Sequence, residues 1–188
     1  HDITVRNCRF DGVKSGNSIT GKTRDIKFDN LFLNGSLVLQ TPPYKNYSQW
    51  MTYSEMKRTP QSYMLDFSKR PKWSYVMGIE LESMLDTYLR YGDKRIWDYC
   101  QEYTDTMIND NGDIRGFKYK DYNLDNIRTG HFVARMYQQN PEAKNLKAMQ
   151  TMMRQLKEQP RTIEDGVFWH KAIYSYQVWL DGIFMGLP

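Results

Sequence analysis

The chain has 188 residues, 40% of them hydrophobic and 14% aromatic, with a formal net charge of +4. That length is enough to bury a core as one ordinary domain or two small ones. Lys and Arg are interleaved with Asp and Glu throughout, so no basic stripe points to nucleic acid. No apolar run approaches the ~20 residues needed to span a bilayer, which speaks against a membrane partner. Cys8 and Cys100 sit in segments of different character and outside any Cys-x-x-Cys pattern, so they read as two thiols rather than a disulfide or a zinc site.

The first 35 residues contain a repeat. Asp2-Ile-Thr-Val-Arg-Asn7-Cys-Arg-Phe-Asp-Gly12 aligns with Asp25-Ile-Lys-Phe-Asp-Asn30-Leu-Phe-Leu-Asn-Gly35 at an offset of 23 residues. Short alternating strands that end on Gly and recur at about one rung's length predict coils of a parallel β-helix over residues 1–40. Asn7 and Asn30 should stack as an amide ladder at one corner, and Gly12 and Gly35 should take the tight corner conformation. A β-helix needs at least about three rungs to bury its core. Two rungs, and a first residue that is His rather than Met, lead us to expect a longer natural chain.

Residues 41–71 change character. Thr41-Pro-Pro, Arg58-Thr-Pro60 and Lys69-Arg-Pro71 punctuate a polar stretch that reads as a linker. Beyond Pro71 the apolar period becomes helical. Trp73, Met77, Leu81, Met84 and Tyr88 form one stripe closed by Gly92, and Ile96, Tyr99, Cys100, Tyr103 and Met107 form a second closed by Asn111-Gly112. A third helix is predicted from about Asp125 to Gln139. A fourth carries Leu146, Met149, Met153 and Leu156, and a fifth begins near Tyr176. The Met-rich stripes read as core. Turns recurring at Gly92 and Asn140 give one helical hairpin per repeat, as in a solenoid or a closed ring of hairpins.

The densest chemistry lies near the carboxyl end, in Gln159-Pro-Arg161-Thr, Gly166-Val-Phe-Trp169-His170-Lys171 and Gln177-Val-Trp179-Leu-Asp181-Gly182. Aromatic rings for stacking on pyranoses, cations for a uronate and a carboxyl group for proton transfer stand close together there. Read as residues alone, each has a plainer role. Asp181 serves equally as a first-turn helix carboxylate, Asp125 as a helix cap, His170 as a core histidine and Trp179 as a core aromatic. Lys171 and Tyr75 read as surface and packing residues, Arg161 as a tether for its loop, and His131 as structural. No histidine pair has ligand spacing with a carboxylate, so neither a metal nor another cofactor is expected.

With those motifs in place, and with Trp73-Ser-Tyr75-Val-Met-Gly78 and Tyr122-Asn-Leu-Asp125 before them, residues 72–188 resemble the unsaturated rhamnogalacturonyl hydrolases of glycoside hydrolase family 105. The resemblance implies a mainly α fold, part of an (α/α)6 six-hairpin barrel, following a piece of polygalacturonase-like β-helix. It implies an enzyme that protonates and hydrates the C4=C5 double bond of a terminal unsaturated galacturonyl unit on a pectin oligosaccharide. Asp181 would be the general acid/base and Asp125 the second catalytic aspartate, with His170, Trp179, Lys171 and Tyr75 on the substrate. Burial among Trp179, Leu180 and Phe184 should keep Asp181 protonated long enough to donate. A six-hairpin barrel takes about twelve helices, so the remainder of the parent chain would be the partner that completes it, and the fragment alone should be inactive. The resemblance also implies a periplasmic or secreted location. The competing readings are a related unsaturated glucuronyl hydrolase, a non-catalytic carbohydrate-binding module and a helical-repeat interaction protein.

Overall fold

The computed structural model describes residues 3–14, 26–37 and 46–186 and divides into two compact units, His1–Met51 and Thr52–Pro188. Asp2, Asp25 and the first prolines of the 41–71 stretch lie outside the described residues.

In the first unit β1 (Ile3–Arg6) pairs in parallel with β3 (Ile26–Asp29), Ile3 opposite Ile26 and Arg6 opposite Asp29. This is the register of the 23-residue repeat. β2 (Arg9–Phe10) pairs in parallel with β4 (Phe32–Leu33), and β4 turns back onto β5 (Ser36–Leu37). Asn30 Nδ2 donates to Asn7 Oδ1 at 3.0 Å, and both residues sit at φ 53°. The expected amide ladder is therefore present, with the left-handed conformation that Asn tolerates better than most residues. Gly12 and Gly35 take φ 75° and 79° at the matching corners.

The stretch read as a linker contains α1 (Tyr47–Arg58). Asn46 Oδ1 accepts from the Gln49 N–H at 2.9 Å, an N-cap that sequence reading passed over because few apolar residues follow at helical spacing. Within the second unit, Thr52 of α1 meets Thr87, and Met56 packs on the core.

The helical unit then runs α2 (Tyr75–Tyr91), α3 (Lys94–Met107), α4 (Asp125–Gln139), α5 (Ala143–Glu158) and α6 (Leu180–Gly186). The first two predicted stripes hold: Met77, Leu81, Met84, Ile96, Tyr99, Cys100, Tyr103 and Met107 are buried. Cys100 is a free thiol that burial pushes well above its usual pKa.

Contacts among α2, α4 and α6 set directions. Thr129 Oγ1 donates to Ser74 O at the start of α2, while Arg135 pairs with Asp86 near its end, so α2 and α4 run side by side in the same direction. The close approach rests on Gly78, where a Cβ would stand 2.6 Å from Thr129 Cα. α6 packs on α4, with Leu124 against both Gly182 and Gly186 and Arg128 against Phe184. The first turn of α6 lies beside that of α4, since Asp181 comes close to Asp125.

Two expectations need correction. The fifth helix begins at Leu180 rather than near Tyr176, because the preceding residues fold into a loop closed by an Arg161–Phe168 bridge, with Tyr176 at φ 62°. The predicted core stripe of α5 holds only in part. Met149 and Leu156 are half-buried against the core, whereas Leu146 is 38% and Met153 53% exposed, and the most buried residues are Asn145, Ala148, Met152 and Gln155. Met149, Met153 and Leu156 also line an apolar groove of about 350 Å³ with Ile127 and Ala134 of α4. Amphipathic spacing marks an apolar stripe, and only the packing of neighbours decides what covers it.

Candidate active site

Asp125 is the first residue of α4, yet it does not cap the helix. Asn123 does so, its Oδ1 accepting from the Asp125 N–H at 3.0 Å. The Asp125 carboxylate is thereby released toward the loop before α6. There Lys171 Nζ lies 2.7 Å from Oδ2, and His170 Nε2 lies 3.1 Å from Oδ1. The site thus closes between the N-terminal turn of one helix and a loop some forty-five residues later.

That loop is fixed by the backbone. Leu124 N–H donates to His170 O, His170 N–H to Gln177 O, and Ala172 N–H to Asp121 O. Gln159, 3% exposed, threads it to the turn before α4, with Nε2 donating to Tyr122 O and Trp169 O at 2.6 and 2.8 Å. Gln159 opened one of the quoted motifs but was given no role there; a buried amide next to Pro160 is the signal that identifies it. Arg161 ties its own loop as expected, donating to Gly166 O and lying over the Phe168 ring.

His170 is 1% exposed, and neither ring nitrogen makes a well-directed hydrogen bond to a described group. Its imidazole is held by shape. Trp179 stacks on it at 4.2 Å and 8°, Tyr174 stacks on Trp179 at 5.3 Å and 18°, and Gly182 lies where a Cβ would stand 3.2 Å from His170 Nδ1. A ring face of Trp179 is therefore used inside the protein. A small cavity of about 190 Å³ adjoins this stack, lined by Leu124, Phe168, His170, Trp179, Gly182 and Ile183.

Asp181, in the first turn of α6, completes the group: one ligand-type atom from each of Asp125, His170 and Asp181 lies within 4.8 Å of the others. The expected greasy recess is not formed by the described residues. Asp181 is exposed, as are Leu180 (88%) and Phe184 (54%). Tyr75, 38% exposed at the start of α2, makes no described contact with the group.

Chemically, the arrangement divides labour between two carboxylates. Both Asp125 oxygens are engaged by His170 and Lys171, whereas Asp181 makes no hydrogen bond or ion pair with a described residue and is free to reach a ligand. The same three side chains are spaced to hold a cation, but the Lys171 ammonium already offsets the Asp125 charge, which favours proton transfer over metal binding.

A model of the Glycosyl Hydrolase Family 88 matches residues 47–188. A solved glycoside hydrolase from family 105, of C. acetobutylicum ATCC 824, is 31% identical and superimposes with a TM-score of 0.67. The match covers 76% of this chain and 37% of that one, so the chain spans well under half the length of the structure it resembles. The mainly helical architecture agrees with both matches, and the chain belongs to glycosyl hydrolase family 88.

Proposed function

We propose that this chain carries the proton-transfer face of a periplasmic or secreted glycoside hydrolase acting on unsaturated rhamnogalacturonan oligosaccharides from pectin. The observation that carries the reading is the convergence of Asp125, His170 and Asp181, from a helix end, a loop and a second helix end, within 4.8 Å. Family membership and the likeness to a family 105 structure support the substrate class, a sugar ending in an unsaturated uronyl unit. The rest of an (α/α)6 barrel would close the open rim, and the 23-residue repeat of the first unit is read as end coils of a parallel β-helix.

In this mechanism the Asp181 carboxyl group gives its proton to C4 of the enol-ether double bond, and positive charge develops at C5. Water adds there, returning a proton to the Asp181 carboxylate while Asp125, held by Lys171 and His170, orients the water or the sugar. The product is a hemiketal, which opens and releases the linked sugar. Unlike a carboxyl pair attacking an anomeric carbon, this route needs one mobile proton and one fixed acceptor, which matches the unequal surroundings of the two aspartates.

The test is loss of the double-bond absorbance on an unsaturated rhamnogalacturonan disaccharide, run with the full-length parent beside an unsaturated glucuronyl disaccharide of glycosaminoglycan type. The second substrate is included because the matching family model is 88 and the solved relative is from 105. Turnover that survives Asp181→Asn would sink the assigned chemistry. Binding of either sugar without turnover would support a carbohydrate-binding module instead.

A further inference from the structure

The mechanism leaves Arg128 unused, though it is one of the most enclosed charges described. It is 7% exposed, and its Nη2 donates to Glu82 of α2, which Arg135 also approaches at 3.4 Å. Its Nε and Nη1 are buried with no acceptor. Enclosing a guanidinium while leaving two donors unpaired is costly, so something must favour it there. On the α6 side it meets the Phe184 ring, 4.5 Å from the guanidinium carbon to the ring centroid, where the negative π face attracts the cation.

The position of this contact matters. Asp125 and Arg128 are three apart on α4, and Asp181 and Phe184 are three apart on α6, so each pair lies on one face of its helix. Arg128–Phe184 therefore lies one helical turn along both helices from Asp125–Asp181, with Leu124 packed on Gly182 and Gly186. α6 has seven residues, too few to be held by its own hydrogen bonds, and its Asp181 side chain makes no hydrogen bond or ion pair with a described residue.

We propose that Arg128, held by Glu82 and covered by Phe184, is a positioning residue that sets the place of α6 and so brings Asp181 to Asp125 and His170. The inference rests on the reading of Asp181 as the acid/base. The planar guanidinium is required because a flat cation covers a ring face in a fixed orientation, whereas an ammonium does not.

Three variants in the full protein test it: Arg128→Lys keeps the charge, Phe184→Leu keeps apolar bulk, and Phe184→Tyr restores the ring. Displacing a reacting group by about an ångström costs up to roughly a hundredfold in rate. Arg128→Lys and Phe184→Leu should each lower kcat by about tenfold or more on the unsaturated disaccharide, with KM within about twofold, and Phe184→Tyr should recover most of it. A second readout needs no substrate: backbone amide exchange across Leu180–Gly186 should quicken in Arg128→Lys and Phe184→Leu and return in Phe184→Tyr. Phe184 is half exposed, so its variants remain folded even if Arg128→Lys does not. Unchanged kcat in Phe184→Leu, or unchanged exchange in α6, overturns the inference. A wild-type protein without turnover would instead sink the functional reading, leaving the exchange to decide this one.

Discussion

The two aspartates of the site sit within one small cluster but belong to different kinds of structure. Asp125 stands on α4, whose buried face is packed against α2 and α5, and its carboxylate is 15% exposed between a lysine and an enclosed histidine. Asp181 stands on a seven-residue helix, exposed and without a bonded partner among the described residues. The comparison teaches that a fixed group and a mobile one can be specified separately. One is over-determined by its neighbours, and the other is placed by the helix beneath it, its own side chain left free.

The sharpest way to break this contrast is to remove each carboxylate in turn. Asp181→Asn should reduce kcat by about a thousandfold, within the range expected for a general acid, while leaving the thermal midpoint within about a degree, since no described bond is lost. Asp125→Asn should do both kinds of damage. Its loss leaves Lys171 and the buried His170 facing a neutral amide, which should lower activity and also cost about 1–3 kcal/mol in denaturant unfolding. Equal stability losses in the two variants would erase the distinction.

The packing side of the contrast can be tested away from the chemistry. Gly78→Ala forces a methyl to within 2.6 Å of the Thr129 backbone, so α2 and α4 must separate. Overpacking of this kind costs about 1–3 kcal/mol, read as a lower denaturant midpoint with unchanged slope. The first unit offers a smaller test: Asn30→Ala removes the amide bond to Asn7 and should cost about 1 kcal/mol, visible as faster amide exchange in Ile26–Asp29.

The smallest effect concerns pH. Burial, with Glu55 and Asp66 nearby, raises the Glu80 pKa above its ordinary value. A carboxyl group with a folded pKa above its unfolded one binds its proton more tightly when folded. Its contribution favours folding at low pH and is lost as pH rises through the unfolded and then the folded value. Glu80→Gln should therefore raise the thermal midpoint slightly at neutral pH and change nothing near pH 3.

Much of this was legible in the chain. The 23-residue repeat foretold the strand register and the Asn7–Asn30 bond, because a ladder needs the same residue at each rung. The stripes of α2 and α3 foretold their buried faces because both are enclosed by neighbours along their length. The α5 stripe did so only in part, since Met149 and Leu156 reach the core while Leu146 and Met153 stay exposed beside a groove. Five of the six candidate site residues, all but Tyr75, come together in space. What could not be read was who holds whom. Lys171 and His170, expected on a substrate carboxylate, lie against the carboxylate of Asp125, and Asp181 is exposed where burial was expected. Spacing along a helix gives faces; the partner of an ion pair across a loop depends on backbone bonds such as Leu124 to His170, which leave no pattern in residue type.

The distance in sequence between the members of the site carries a consequence for biogenesis. During synthesis the α2–α3 hairpin can dock long before residue 181 leaves the ribosome, so the candidate site forms after the helices that carry its first member. Nascent chains halted before α6 would display a formed Asp125 end with no Asp181 opposite it, however well the earlier helices had folded.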